Sequence, residues 1–120
     1  MAKKHEIRNK TVYELQAEIC AALSSPVRLQ ILELVSQGEK TSSDLLEVLQ
    51  VPKANLSQHI AVLRDAGILH ARKEGLFQVL SLALPRIKEA CAIVKSVLVE
   101  RIEQEERRHA ELRKELRSQR

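Results

Sequence analysis

From Val12 onward the apolar residues recur three and four positions apart, a helical period interrupted by two short strand-like runs between Ile68 and Leu82. The first periodic segment predicts a helix from about Asn9 to Leu23, with Val12, Leu15, Ile19, Ala22 and Leu23 on one face. Ser24-Ser25-Pro26 ends it and opens a second helix, because proline suits the first helical position. Val27, Leu29, Ile31, Leu32, Leu34 and Val35 make that second helix apolar enough to be central to a core. Gln37-Gly38-Glu39-Lys40 reads as a turn. A third helix then opens at Thr41 and carries Leu45, Leu46 and Leu49, and Val51-Pro52 breaks it. The fourth, Lys53 to Ala66, buries Leu56, Ile60 and Leu63 at spacings of four and three. Gly67 supplies its stop, and Ile68 to Leu82 predicts two strands around the turn at Gly75. Pro85 opens a last helix with Ile87, Cys91, Val94, Leu98 and Ile102 at spacings of four and three. Such a narrow seam is expected where two helices meet across a dimer. It weakens at Glu105, and only Leu112 and Leu116 return in register.

The predicted fold class is therefore mainly α with a small β-hairpin wing: a winged helix-turn-helix whose last helix offers a dimer seam. We read residues 1–120 as one domain, with a basic N-terminal arm over 1–10 and a charged helical extension over 101–120. A short helix, a sharp turn, a second helix with a polar outer face and then a hairpin form a device for entering a major groove. Double-stranded DNA is the partner this arrangement suits.

Charge supports that partner locally and not in bulk. Of a net +4, residues 1–82 contribute ten Lys and Arg against nine Asp and Glu. The stretch from Lys53 to Arg64, however, contains no acidic residue. Arg72 and Lys73 lie near the hairpin tip, and Lys3, Lys4, Arg8 and Lys10 make up the basic arm, so both groups are candidate phosphate contacts. With one Phe, one Tyr and no Trp, the chain has little with which to stack on unpaired bases. No apolar run reaches the roughly 18 residues of a membrane span, and no secretory signal is visible, so a cytoplasmic protein with reduced thiols is expected.

Helix geometry distributes the candidate contacts. With Leu56, Ile60 and Leu63 inward, Ala54, Gln58 and Ala61 point most directly outward, flanked by Asn55, Ser57 and His59. Gln58 has the paired donor and acceptor that read adenine, while Lys53 and Arg64 suit phosphates. His59 has a bland alternative as a half-buried packing residue.

Two motifs carry a family resemblance. Ala22-Leu23-Ser24-Ser25-Pro26-Val27-Arg28-Leu29-Gln30-Ile31-Leu32 and Asn55-Leu56-Ser57-Gln58-His59-Ile60-Ala61-Val62-Leu63-Arg64-Asp65-Ala66-Gly67-Ile68-Leu69 resemble the paired signatures of the ArsR/SmtB winged-helix repressors. The resemblance covers roughly residues 12–100. It implies a homodimer built on the first and last helices, a palindromic operator, release by an inducer, and DNA contacts from Ser57 and His59. The family's metal positions are filled otherwise here. Asp44 to Leu49 holds no cysteine, and the last-helix positions fall near Leu84, Arg86, Val97 and Glu100, so no metal and no cofactor is expected. His5, His70 and His109 fit no ligand spacing with one another.

Cys20 and Cys91 are the remaining sensor candidates. As bland alternatives, both are small core hydrophobes. If the first and last helices share an interface, the two thiols could instead lie close together and act as a switch that releases the operator. The function this sequence implies is a dimeric repressor. A competing class is a winged-helix protein-interaction module that docks a partner on its charged last helix, where thirteen of the final twenty-one residues are charged. No nucleophile–base pair, glycine-rich phosphate loop or paired-carboxylate motif points to an enzyme.

Overall fold

The first three helix starts in this chain are set by side-chain caps that precede their apolar stripes. A computed structural model describes residues 10–119. In α1 (Val12–Ala22), the Thr11 hydroxyl accepts from the Glu14 N–H at 3.1 Å, and the Glu14 carboxylate accepts from the Thr11 N–H. This reciprocal pair satisfies two of the orphan donors of a helix start and fixes it three residues after the expected Asn9. Ser25 caps α2 (Pro26–Ser36), with Pro26 in the first turn, and α1 and α2 meet at 87°. Thr41 and Asp44 repeat the reciprocal cap at α3 (Ser42–Leu49). Gln50 then takes the left-handed φ of 52° that turns the chain towards α4 (Lys53–Asp65).

The far end of α4 closes in a Schellman motif. Gly67, at φ 77°, donates to the Arg64 carbonyl, and Ile68 donates to the Leu63 carbonyl, each at 2.9 Å. Leu63 and Ile68 are both fully buried, which supplies the apolar contact that accompanies this cap. The hairpin follows as β2 (Leu69–Glu74) and β3 (Phe77–Leu82), paired antiparallel with Ala71 opposite Leu80. Gly75 at φ 62° takes the first central position of the two-residue turn, the position at which a type II′ turn favours glycine. The sheet has a third member that the sequence pattern did not predict. β1 (Lys40–Thr41) pairs with β3, giving the order β1-β3-β2. Two residues are too few to show a period, and by sequence the segment fits a turn followed by a helix start.

The core is aliphatic. Ile31, Leu32 and Val35 of α2, Leu45 of α3 and Leu56, Ile60 and Leu63 of α4 meet Ile68, Leu69, Val79 and Leu80 from the hairpin. Leu29, expected among the core positions of α2, is instead exposed. The last helix, α5 (Ile87–Ser118), begins two residues later than Pro85 suggested. Leu84 and Pro85 form a tight turn whose carbonyls accept from the N–H groups of Ile87 and Lys88. The chain divides into two units, Met1–Lys88 and Glu89–Arg120. The second unit is a continuous helix to Ser118, with an i,i+4 pair of Arg101 and Glu105 and with Ile93, Val94, Val97, Leu98 and Ile102 exposed. Among the described residues no single helix is long and apolar enough to cross a membrane.

A side chain at Gly67 would meet no atom within 4 Å, so its constraint is conformational. Gly67→Ala should therefore lower stability by about 1–2 kcal/mol through left-handed strain, read as a lower denaturation midpoint with unchanged slope. Leu63→Ala, which opens a cavity, should cost about 2–5 kcal/mol.

Candidate nucleic-acid interface

α4 turns its apolar stripe inward and leaves a continuous polar face outward. Lys53, Ala54, Asn55, Ser57, Gln58, Ala61 and Arg64 are exposed, as the spacing of Leu56, Ile60 and Leu63 requires. Among the described residues, the side chains of Lys53, Asn55, Ser57, Gln58 and Arg64 make no hydrogen bond or ion pair. Their polar groups are available to a ligand without first breaking an internal contact. The helix start adds to this. Pro52 is the N-cap and offers no side-chain acceptor, and no acidic residue lies in the first turn. The positive end of the helix dipole is thus left uncompensated beside Lys53.

His59 is held differently. Its ring is half-buried, and Nδ1 lies 3.1 Å from Nη1 of Arg28 on α2. This contact spans 31 residues of sequence and carries no local signal, so sequence reasoning missed it.

The wing does not present the two free cations expected of it. Lys73 is exposed, but the Arg72 guanidinium is clamped by Glu39, with Nη2 2.9 Å from Oε1, and by Glu74, with Nε 2.7 Å from Oε2. Glu39 precedes β1 and lies 33 residues from Arg72, so the added strand brings the pair together. The hairpin tip is apolar, with Leu76 fully exposed and Phe77 about half-exposed. Of the basic arm, only Lys10 lies within the described residues, and it pairs with Glu18 at 2.7 Å. Lys3, Lys4 and Arg8, like His5, lie outside them.

The two thiols also differ. Cys20 is exposed on α1, whereas Cys91 is half-buried on α5, and neither forms a disulfide within the chain. Burial pushes the Cys91 thiol up, and Lys95 pulls only partly the other way. Among the described residues no group of three or more His, Cys, Asp or Glu side chains could hold a metal ion.

Three antiparallel strands behind a helix-turn-helix define a winged helix-turn-helix protein. Residues 25–71 match the family model for bacterial regulatory proteins of the ArsR family. The uncharacterized HTH-type transcriptional regulator Rv0081 of Mycobacterium tuberculosis is 36% identical over 93 residues, covering 77% of this chain and 82% of that protein. Its crystal structure superposes with a TM-score of 0.72 over 79% of this chain and 96% of that one. The arsenical resistance operon repressor of Staphylococcus xylosus is 41% identical over 63 residues, 52% of this chain and 61% of the relative. A solution structure of a homodimeric winged helix-turn-helix DNA-binding domain from Mycobacterium bovis matches at a TM-score of 0.68 and 28% identity, covering 74% of this chain and 82% of that domain. The chain belongs to the ArsR family, whose members are transcriptional regulators and not enzymes.

The Arg72 clamp has a pH signature. The Arg72 hydrogen bonds hold the Glu39 carboxyl below the ordinary carboxylate value. A depressed folded-state value means the clamp is intact above the ordinary value and opens as pH falls through the lowered one. Carboxyl-carbon NMR should show Glu39 titrating below a free glutamate, and Arg72→Ala should restore the ordinary midpoint.

Proposed function

We propose that this chain is a dimeric transcriptional repressor that binds an inverted-repeat duplex through the outer face of α4. The observation that carries this reading is the acid-free, unpartnered row of Lys53, Asn55, Ser57, Gln58 and Arg64 beginning at an uncapped helix start. Gln58 and Ser57, near the middle of the row, are assigned to base edges, with Asn55 and Ala54 beside them. Lys53 and Arg64, at its two ends, are assigned to phosphates. Lys73 is the wing cation assigned to the backbone. Arg72 joins it only on leaving Glu39 and Glu74, at the cost of two charge-assisted contacts.

A second copy is the proposed cover for the apolar surface. Val12 and Tyr13 on α1 are more than 70% exposed, and Val94, Leu98 and Ile102 form an exposed stripe on α5. Isolated chains rarely leave such faces open to water. The M. bovis domain of the same fold is homodimeric, which supports the reading. The sensor assigned to this dimer is the pair Cys20 and Cys91. The exposure of Cys20 favours modification, while the raised Cys91 thiol makes that residue the slower partner.

Selection from a random duplex pool should yield an inverted repeat with half-sites about one helical turn or a multiple apart. Gln58→Ala should then relax preference at one base position by about 1–3 kcal/mol. Lys53→Ala and Arg64→Ala should instead weaken selected and random duplexes alike and lower the salt slope by about one each. Failure to enrich any sequence would sink the repressor reading.

Leu98→Glu should dissociate the dimer in sedimentation equilibrium, because it places a charge in each half of the seam. For the thiols, a persulfide donor or mild oxidant should reduce affinity for the selected duplex in the wild type and in neither Cys20→Ser nor Cys91→Ser. Equal affinity in all of these leaves the cysteines as packing residues.

A further inference from the structure

Arg28 lies on the first turn of α2, inside a motif that has no part in the duplex contacts assigned above. Its guanidinium nevertheless joins three elements. Nε donates to the Ala22 carbonyl at 2.7 Å and Nη2 to the Ala21 carbonyl at 3.3 Å, so the end of α1 is capped from α2. The Ala22 residue is 3% exposed, and a carbonyl so placed needs a protein partner. Nη1 is 3.1 Å from Nδ1 of His59 on α4.

The direction of that last bond follows from chemistry. A guanidinium has donors only, so the imidazole Nδ1 must accept and carries no proton. The ring proton is then on Nε2. Glu18 and Asp65 line the shallow cleft beside Arg28, yet the guanidinium bonds neither of them. Its donors go to carbonyls and a ring, which makes the contact a geometric tie and not a charge pair.

We propose that Arg28 is a positioning residue for α4. It fixes His59 as the Nε2–H tautomer and ties the ring to the end of α1, so a displacement of α1 reaches the turn that carries Ser57 and Gln58. This rests on the reading of α4 as the duplex-contacting helix. It also gives α1, one of the two helices assigned to the dimer seam, a direct mechanical link to the outer face of α4. His59 thereby acts in orientation even though its ring is half-buried.

The test has two arms. In the free protein, nitrogen-15 spectra of the imidazoles should show His59 with an accepting Nδ1 and a protonated Nε2. Arg28→Lys should move the Nδ1 signal while those of His70 and His109 stay in place. In the second arm, Arg28→Lys and His59→Gln should each lower the preference for the selected duplex over a scrambled one by about tenfold. The double variant should lose no more than about tenfold, because both changes remove the same tie. His59→Asn keeps an acceptor near the Nδ1 position and should retain most of the preference. Should Arg28→Lys fail to fold, the contrast between His59→Asn and His59→Gln still decides the matter. A proton on Nδ1 in the wild type, or losses that multiply in the double variant, overturns the proposal. If no duplex can be selected, the repressor reading fails and the duplex role of Arg28 with it, while the spectra still decide the tie.

Discussion

Burial of Leu56, Ile60 and Leu63 is the constraint on which the rest of the structure depends. These three side chains are at most 3% exposed and seat α4 between α2 and β2. Because they recur at four and three, they use one face of the helix and fix the rotation of the other. Any residue assigned to a base edge is placed by that rotation. A single apolar stripe thus sets both the stability of the unit and the direction in which Ser57 and Gln58 look.

Electrostatics then separates the two surfaces that bulk charge would have merged. The outer face of α4 carries cations and amides without internal partners, whereas the wing spends Arg72 on two carboxylates. Exposed ion pairs contribute little to stability, so the clamp matters more for what it withholds than for what it holds. With Glu39 and Glu74 in place, the charges of Arg72 and Lys73 are balanced and the wing is close to neutral. On the proposed reading, affinity for a polyanion is thereby concentrated on one helix, which also carries the polar side chains assigned to base edges.

The helices, their inward residues and the hairpin were legible because each announces itself within a few residues. Thr41 with Asp44 marks a start, Gly67 marks a stop, and leucine spacing marks a face. What escaped the sequence joins residues far apart. Arg72 meets Glu39 only because β1 adds to the sheet, and a two-residue strand has no pattern to detect. Arg28 meets His59 only because α2 and α4 pack together. Pro85 misled slightly, since it fits a helix start and a tight turn equally well, and the turn prevailed. The polar outer row of α4 is legible as exposed from the leucine spacing, but the separate fate of His59 depends on a partner thirty-one residues away.

The unequal ends of α4 have a dynamic consequence. At its C-terminal end the Schellman bonds of Gly67 and Ile68 are backed by buried Leu63, so amide hydrogens there open only with the whole unit. At its N-terminal end no side chain caps the first turn, whose amides are held by nothing comparable. Hydrogen exchange along this one helix should therefore run from fast at Ala54 to slow at Leu63. A phosphate docking at the open end would supply the missing cap and slow the fast amides. On the duplex-binding reading, the first turn of α4 would thus be finished by its ligand, and part of the free energy of association would go into ordering backbone as well as into making contacts.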